Sequence, residues 1–174
     1  MDTNIAWAAG FIDADGTITI KRCKRGKDRK WNYLPYIAVS QKDGVMGNLA
    51  VSALKKLFGG NVYRWTSTQN MKLLDGKTIT AYKRNNTVNW QITSLGASNC
   101  IDKIYPHLVS KKNQGKILIE FISKFYRGVK YRAHWLTDKD RNERLKYFEK
   151  MRVFNVKGFA PTTTKREDTE RSLK

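Results

Sequence analysis

Acidic residues are scarce in this chain. Among 174 residues there are 15 Asp+Glu against 34 Lys+Arg, a formal net charge of +19. Self-repulsion of that size costs stability unless a polyanion shares the charge. Nucleic acid is the first candidate partner, an anionic membrane surface the second, and a merely basic soluble surface the third. Cysteine is scarce as well. Cys23 and Cys100 stand far apart, and no CxxC pair or Cys/His cluster exists, which argues against a zinc site and for reduced structural thiols in an intracellular protein. No apolar run approaches the roughly 20 residues of a membrane span. Asp2 stands where a signal peptide would need a basic segment, and Asp13 and Asp15 end the first apolar run. The chain is therefore expected inside the cell, not secreted, and without a membrane partner.

Against that basic background, two acids sit one residue apart in Ala9-Gly10-Phe11-Ile12-Asp13-Ala14-Asp15-Gly16. Asp2-Thr3 offers an N-cap, and Asn4 to about Asp13 reads as a helix. Ile5, Ala8, Ala9 and Ile12 make one apolar face, Ala6, Gly10 and Ala14 a small-residue face, and Trp7 and Phe11 a third side. A short helix so apolar all round needs cover on more than one side. One cover is the domain core. The small-residue stripe lets a second helix backbone approach, either within a monomer or from a second copy of the chain.

Gly16 ends that helix, and Thr17 to Lys24 alternates as a strand leading to a basic tip, Lys24 to Lys30. Tyr36 to Ser40 returns with Ile37 and Val39 inward. Gly44 to about Phe58 reads as a second helix, closed by Gly59-Gly60. Val62 to Thr66 and Thr87 to Thr93 are further strands, the latter with Trp90 and Ile92 on one side and Asn89 and Gln91 on the other. The segment Ser67 to Asn86 between them is long, polar and basic. A short helix falls within Leu95 to Leu108, and a longer one runs from Lys111 to about Tyr126, with Ile117, Leu118, Phe121, Ile122 and Phe125 as its buried stripe. A basic, aromatic connection leads to a last helix, Asp138 to about Val153, capped by Thr137. The expected organisation is a core over residues 1–126, a helical extension over 127–156 and a disordered basic tail over 157–174. The fold class is α+β: a four-stranded antiparallel sheet in αββαββα order, helices on one face. Its other face would hold Thr17, Thr19, Lys21, Tyr36, Ala38, Ser40, Arg64, Asn89 and Gln91. That face is either solvated or a curved ribbon for the DNA major groove, whose width admits one.

Asp15 falls at the C-terminal end of the first helix, where free carbonyls favour a cation. One carboxylate and one carbonyl suit a hard divalent ion such as Mg²⁺, with water and phosphate oxygens completing its shell. The nine residues Ala8-Ala9-Gly10-Phe11-Ile12-Asp13-Ala14-Asp15-Gly16, and the element order after them to about Tyr126, resemble the LAGLIDADG homing endonucleases. The resemblance implies a site-specific endonuclease that makes a metal-dependent double-strand break in a long, roughly palindromic DNA. It implies Asp15 as metal ligand with the Ala14 carbonyl beside it, and Mg²⁺ or Mn²⁺ as cofactor. Val39-Ser40-Gln41-Lys42 resembles the second-strand end, where Gln41 would position water. Leu108 to Gln114 resembles the loop that carries a basic catalytic residue, Lys111 with Lys112 as rival. Some relatives carry an Arg just beyond that Gln; here Asp43-Gly44-Val45 follows Lys42.

A single copy of the motif implies a homodimer joined through Ala6, Gly10, Ala14 and Asp13. Double-stranded DNA would meet Lys21, Arg22, Arg25, Lys27, Arg29, Arg64 and Lys112, with Thr19, Ala38, Asn89 and Gln91 near bases. The loop Lys72 to Arg84, the stretch Tyr126 to Trp135 and the last helix could extend that footprint. Two other classes fit the same residues: an RNA maturase of this fold bound to its host intron, and a DNA-binding regulator that does not cut.

Overall fold

The computed structural model describes residues 2–25, 30–65, 68–72, 78–83, 86–127 and 136–155, with side chains at all of these except 25, 68–72 and 78–83. The expected basic tip at 26–29, the connection at 128–135 and the tail at 157–174 lie outside the described residues.

Helix α1 spans Thr3–Asp15. Asp2 caps it, its carboxylate accepting the Asn4 N–H at 3.0 Å. Gly16 ends it, donating its N–H to the Ile12 carbonyl. A Cβ at Gly16 would stand 2.6 Å from that same oxygen, so the sharp passage from helix to strand needs glycine there. Ala8, Ala9 and Ile12 are fully buried, while Trp7 and Phe11 stack on each other at 5.5 Å on the outer side.

Strand β1 (Gly16–Arg25) pairs antiparallel with β2 (Lys30–Lys42). After α2 (Val45–Phe58) the chain enters β3 (Asn61–Trp65). The polar segment that follows is not a plain loop. It holds a two-stranded ribbon, β4 (Thr68–Lys72) with β5 (Thr78–Lys83), separate from the main sheet. Strand β6 (Thr87–Thr93) then inserts between β2 and β3, and the four-stranded antiparallel sheet has the order β1-β2-β6-β3. Helices α3 (Ser94–Ile104), α4 (Lys112–Phe125) and α5 (Asp138–Phe154) complete the chain.

Alternation assigns the faces. Ile18, Ile20, Ile37, Val39, Val88, Trp90 and Ile92 point into one core with Ala97, Ile101, Ile104, Ile117, Leu118, Phe121 and Ile122 from the helices. Trp90 is fully buried and donates its indole N–H to the Gly59 carbonyl at 2.8 Å. Phe121 sits among Phe125, Tyr126 and Tyr147, with ring centroids 5.1 to 5.9 Å away. Helix α5 carries the expected cap, a reciprocal pair between Thr137 and Asp140. It packs on α4, β1 and β2 through buried Met151 and Arg144. The Arg144 guanidinium lies over Phe125 at 4.8 Å and donates to the Tyr33 carbonyl at 3.3 Å. Among the described residues no helix is long and apolar enough to cross a membrane.

Helix α2 buries little of its apolar surface. Only Val51 and Leu54 are buried, while Val45, Met46 and Leu49 are exposed at 77, 78 and 62 %. Met46 and Leu49 lie on the side that faces Trp7 and Phe11 across a shallow apolar hollow lined also by Ala50 and Ala53.

Phe121→Ala should cost about 3–5 kcal/mol of stability, because a fully buried ring leaves a cavity that the aromatic neighbours cannot fill. Urea unfolding checks this; a loss below about 1 kcal/mol would place Phe121 outside the packed centre.

Candidate functional site

The face of the sheet turned away from the helices forms an open groove of about 730 Å³. Thr17, Lys21, Tyr36, Ala38, Ser40, Tyr63, Trp65, Thr87, Asn89 and Gln91 line it, and Asp15 stands at its edge. Most of these are hydrogen-bonding side chains, with two aromatics on the outer strand. The Tyr36 hydroxyl donates to Gln91 Oε1 at 3.0 Å, and the Lys21 ammonium lies 4.9 Å from the centre of the Tyr36 ring. Burial, with a smaller effect from Tyr63, pushes the Tyr36 phenol above its ordinary value, so it stays a donor at neutral pH.

Of the expected contact residues, Lys21, Ala38, Asn89 and Gln91 line this groove. Thr19 shares the parity of Thr17 and Lys21, and its hydroxyl accepts from Asn155 Nδ2 at 3.0 Å. Arg64 does not reach the groove. Val62 pairs with Trp90 and Arg64 with Val88, both core positions, so Arg64 points to the helical side. There its guanidinium donates to Asn48 Oδ1 at 2.9 Å and lies 3.9 Å from Asp43. The same parity sends Tyr63 and Trp65 into the groove, 45 and 65 % exposed. Neither was expected as a site residue, although an inward Val62 already implied both. Arg22 also takes the helical side, with the parity of Ile18 and Ile20. It stacks over Trp31 at 4.3 Å and Phe148 at 5.6 Å. The Arg25 side chain, Lys27 and Arg29 lie outside the described residues.

The acidic turn gathers the expected catalytic residues. Gly16 pairs with Val39, so Asp15 lies where β2 runs on to Ser40 and Gln41. Gln41 Nε2 donates to Asp15 Oδ2 at 3.0 Å. Lys111 reaches the same turn from the other side: its ammonium donates to the Asp13 carbonyl and, at 3.3 Å, to the Ala14 carbonyl. Burial lowers the Lys111 pKa and outweighs the opposite pull of the Asp13 and Asp15 carboxylates. Lys112 turns away. Its ammonium donates to the Tyr105 carbonyl at 2.9 Å and sits over the Tyr105 ring at 4.3 Å. Of the two rivals, the structure brings Lys111 to the acids.

Asp13 corrects its expected role at a dimer seam. The side chain is turned inward, with the residue only 8 % exposed. Oδ2 accepts the N–H groups of Val109 and Ser110 at 3.0 and 2.7 Å and the Ser110 hydroxyl at 3.1 Å, and Oδ1 accepts the Lys111 N–H at 2.7 Å. Burial alone would raise the Asp13 pKa. The donors Ser110, Lys111 and Val109 more than offset it, and the net shift is downward. Ala6, Gly10 and Ala14 do lie on the open side of α1, half-buried to exposed.

The turn fits a hard divalent cation. Its donors are oxygens only, an exposed carboxylate and the Ala14 carbonyl, and the chain's own ammonium already sits against that carbonyl. Among the described residues no group of three His, Cys, Asp or Glu could hold a metal by itself. This chain therefore offers a partial ligand set, of the kind completed by water and phosphate oxygens.

The lowered Asp13 pKa has a definite sign for stability. Folding favours the ionised carboxylate, so its contribution is complete above the ordinary carboxylate range and lost as pH falls through the lowered value. The urea midpoint of the native chain should exceed that of Asp13→Asn at about pH 6, and the gap should narrow progressively as pH falls below about 4. Parallel curves across that range would show that the ionised carboxylate does not contribute this stability.

The family model for LAGLIDADG endonuclease matches residues 8–139. No curated protein sequence matches the chain. Among solved structures, the homing endonuclease I-CvuI in complex with a DNA target is similar with a TM-score of 0.59 and 19 % identity, over 94 % of this chain and 84 % of that one. I-CvuI has been solved with the I-CreI target in the presence of Mg, the DNA not cleaved, and with its own target in the presence of Ca. The group I intron-encoded I-CeuI, complexed with DNA, has a TM-score of 0.59 and 14 % identity, over 87 % of this chain and 67 % of that one. I-GzeII, in complex with its DNA target, has a TM-score of 0.55 and 17 % identity; the match covers 85 % of this chain but only 43 % of I-GzeII.

Proposed function

This chain belongs to the LAGLIDADG endonuclease family, and we propose that it works as a homodimeric, Mg²⁺- or Mn²⁺-dependent homing endonuclease that makes a double-strand break in a long, roughly palindromic DNA site. The observation that carries this reading is the meeting of Asp15, Gln41 and Lys111 at the edge of the polar groove. Each residue has a distinct task in phosphodiester hydrolysis. The groove supplies base-edge donors and acceptors from Asn89, Gln91, Thr17 and Tyr36, flanked by Lys21 for phosphate. Tyr63 and Trp65 add flat surfaces for sugar or thymine methyl contact. Asp15 and the Ala14 carbonyl would hold the cation, which neutralises phosphate charge and activates water when bound. Gln41 fixes the Asp15 carboxylate by its amide N–H, leaving its amide oxygen to accept a hydrogen bond from an incoming water and orient it. Lys111 places positive charge beside the acids, where negative charge grows as the P–O3′ bond breaks.

One chain has one such acid site, and cutting both strands calls for two. A two-fold pair of chains supplies them and accounts for a palindromic target. The open side of α1, with Gly10 and Ala14 exposed beside Trp7, Met46 and Leu49, is the surface offered to the second copy. Nothing lies within 4 Å of a Cβ added at Gly10, so a side chain there disturbs a partner and not the fold of the monomer. Gly10→Leu should therefore keep the circular dichroism of the folded chain yet lose the dimer by light scattering, melting lower only by the contribution of the lost association. A Gly10→Leu protein that remained dimeric would move the interface elsewhere.

The direct test is cleavage of a plasmid that carries the joined flanks of the gene, with Mg²⁺ and with EDTA. Linearisation at one place, with Mg²⁺ only, is the expected result. Asp15→Asn should bind the same DNA within about threefold and cut at least about a hundredfold more slowly. Cutting by Asp15→Asn at the native rate would remove Asp15 from the site. Neither cutting nor binding by the native chain would overturn the nuclease reading and make host intron RNA the next ligand to test.

A further inference from the structure

Lys111 is held at both ends by one turn of α1. Its backbone N–H is fixed by the Asp13 carboxylate, and its ammonium lands on the Asp13 and Ala14 carbonyls. Helix α1 has no basic residue in its own last turn. Its C-terminal carbonyls carry partial negative charge and lack helical donors, and a lysine far along the chain meets them. A lysine side chain has four rotatable bonds and a well-hydrated head, so it stays in one place only if its backbone is held and its donors are used. The carboxylate holds that backbone by gathering three consecutive N–H groups and one hydroxyl from residues 109–111. Neither Lys112 nor any residue lining the groove takes part in this clamp.

We propose that Asp13 is a positioning residue for Lys111: its carboxylate fixes the 109–111 turn so that the ammonium is delivered to the carbonyl end of α1, next to Asp15. The effect on cutting rests on the nuclease reading above. The effect on Lys111 rests on the geometry alone, and the two are measured separately.

The first measurement follows acetylation of individual lysines by an acetylating reagent, read by mass spectrometry, with exposed Lys116 as internal reference. In the native chain Lys111 should react about tenfold more slowly than Lys116. In Asp13→Asn, where an amide N–H faces backbone N–H donors, that protection should fall to within about threefold. Ser110→Ala removes only the hydroxyl donor and should shift the ratio the same way by less, so a poorly folding Asp13→Asn does not decide the matter. Unchanged Lys111 protection in both variants would overturn the proposal. The second measurement is a single-turnover cycle on the cleaved DNA. Asp13→Asn should cut about tenfold more slowly at unchanged DNA affinity, and Asp13→Asn combined with Lys111→Met should cut no more slowly than Lys111→Met alone. Multiplying losses would show that Asp13 acts independently of Lys111 and would overturn the proposal. A native chain that cuts no DNA would count against the nuclease; the acetylation ratios would still decide for or against the clamp.

Discussion

Everything at the site depends on how α1 ends. A carboxylate with little access to water is stable only when its lone pairs are used, and a loop of N–H groups is stable only when those donors find acceptors. Asp13 and residues 109–111 answer each other's need across almost a hundred residues of chain. Gly16 then turns the backbone directly into β1, because no larger residue fits against the Ile12 carbonyl. The register of that strand, Gly16 opposite Val39, puts Asp15 within reach of Gln41. One helix end thus sets the acid, the amide and the lysine, each arriving from a different element.

The charge distribution follows the same division of labour. A net charge of +19 draws a polyanion from a distance and is screened beyond about 10 Å at ordinary salt, so it steers and holds without choosing a bond. Choice among bases needs fixed donors and acceptors, and these come from alternate positions of β1, β2 and β6. Choice of the bond to be broken needs a local reversal of sign. On the proposed function Asp15 provides it at the groove edge, and Lys111 limits its reach to the immediate turn. A second carboxylate free beside Asp15 would extend the repulsion of phosphate; Asp13 avoids this by being spent on the loop.

Much of this was legible in the sequence. Helix α1, its Asp2 cap and its glycine stop are written in residues 2–16, and the faces of β6 follow from Val88, Trp90 and Ile92. The motif placed Asp15 at the end of α1, and the structure brings Gln41 and Lys111 to the same turn. What failed did so for physical reasons. Arg64 was put in the groove because it is charged, yet parity with Val62 decides the face, and Asn48 with Asp43 makes the inner side habitable for a guanidinium. Tyr63 and Trp65 went unnoticed because aromatic residues on a strand read as core. The β4–β5 ribbon is hidden in a long polar and basic stretch, where only Thr78-Ile79-Thr80-Ala81 alternates, and neither of its strands belongs to the main sheet. The role of Asp13 rests on backbone donors, which no side-chain pattern encodes.

Helix α1 also explains why the chain tolerates so much exposed apolar surface nearby. Its inner face is spent on the core through Ala8, Ala9 and Ile12, so the outer face cannot be buried by the same fold. Trp7 and Phe11 cover each other, and Met46 and Leu49 of α2 stand across from them without cover. The outer stripe narrows to Ala6, Gly10 and Ala14, which brings any occupant close to the backbone that carries Asp15. An occupant of that stripe and a phosphate at Asp15 therefore act on the same rigid rod. Shifting α1 along its axis by one residue's rise, about 1.5 Å, would break the Asp13 clamp and separate Asp15 from Gln41. On the proposed function, assembly and catalysis are then not independent: whatever seats α1 also sets the distance between Asp15 and the bond to be cut.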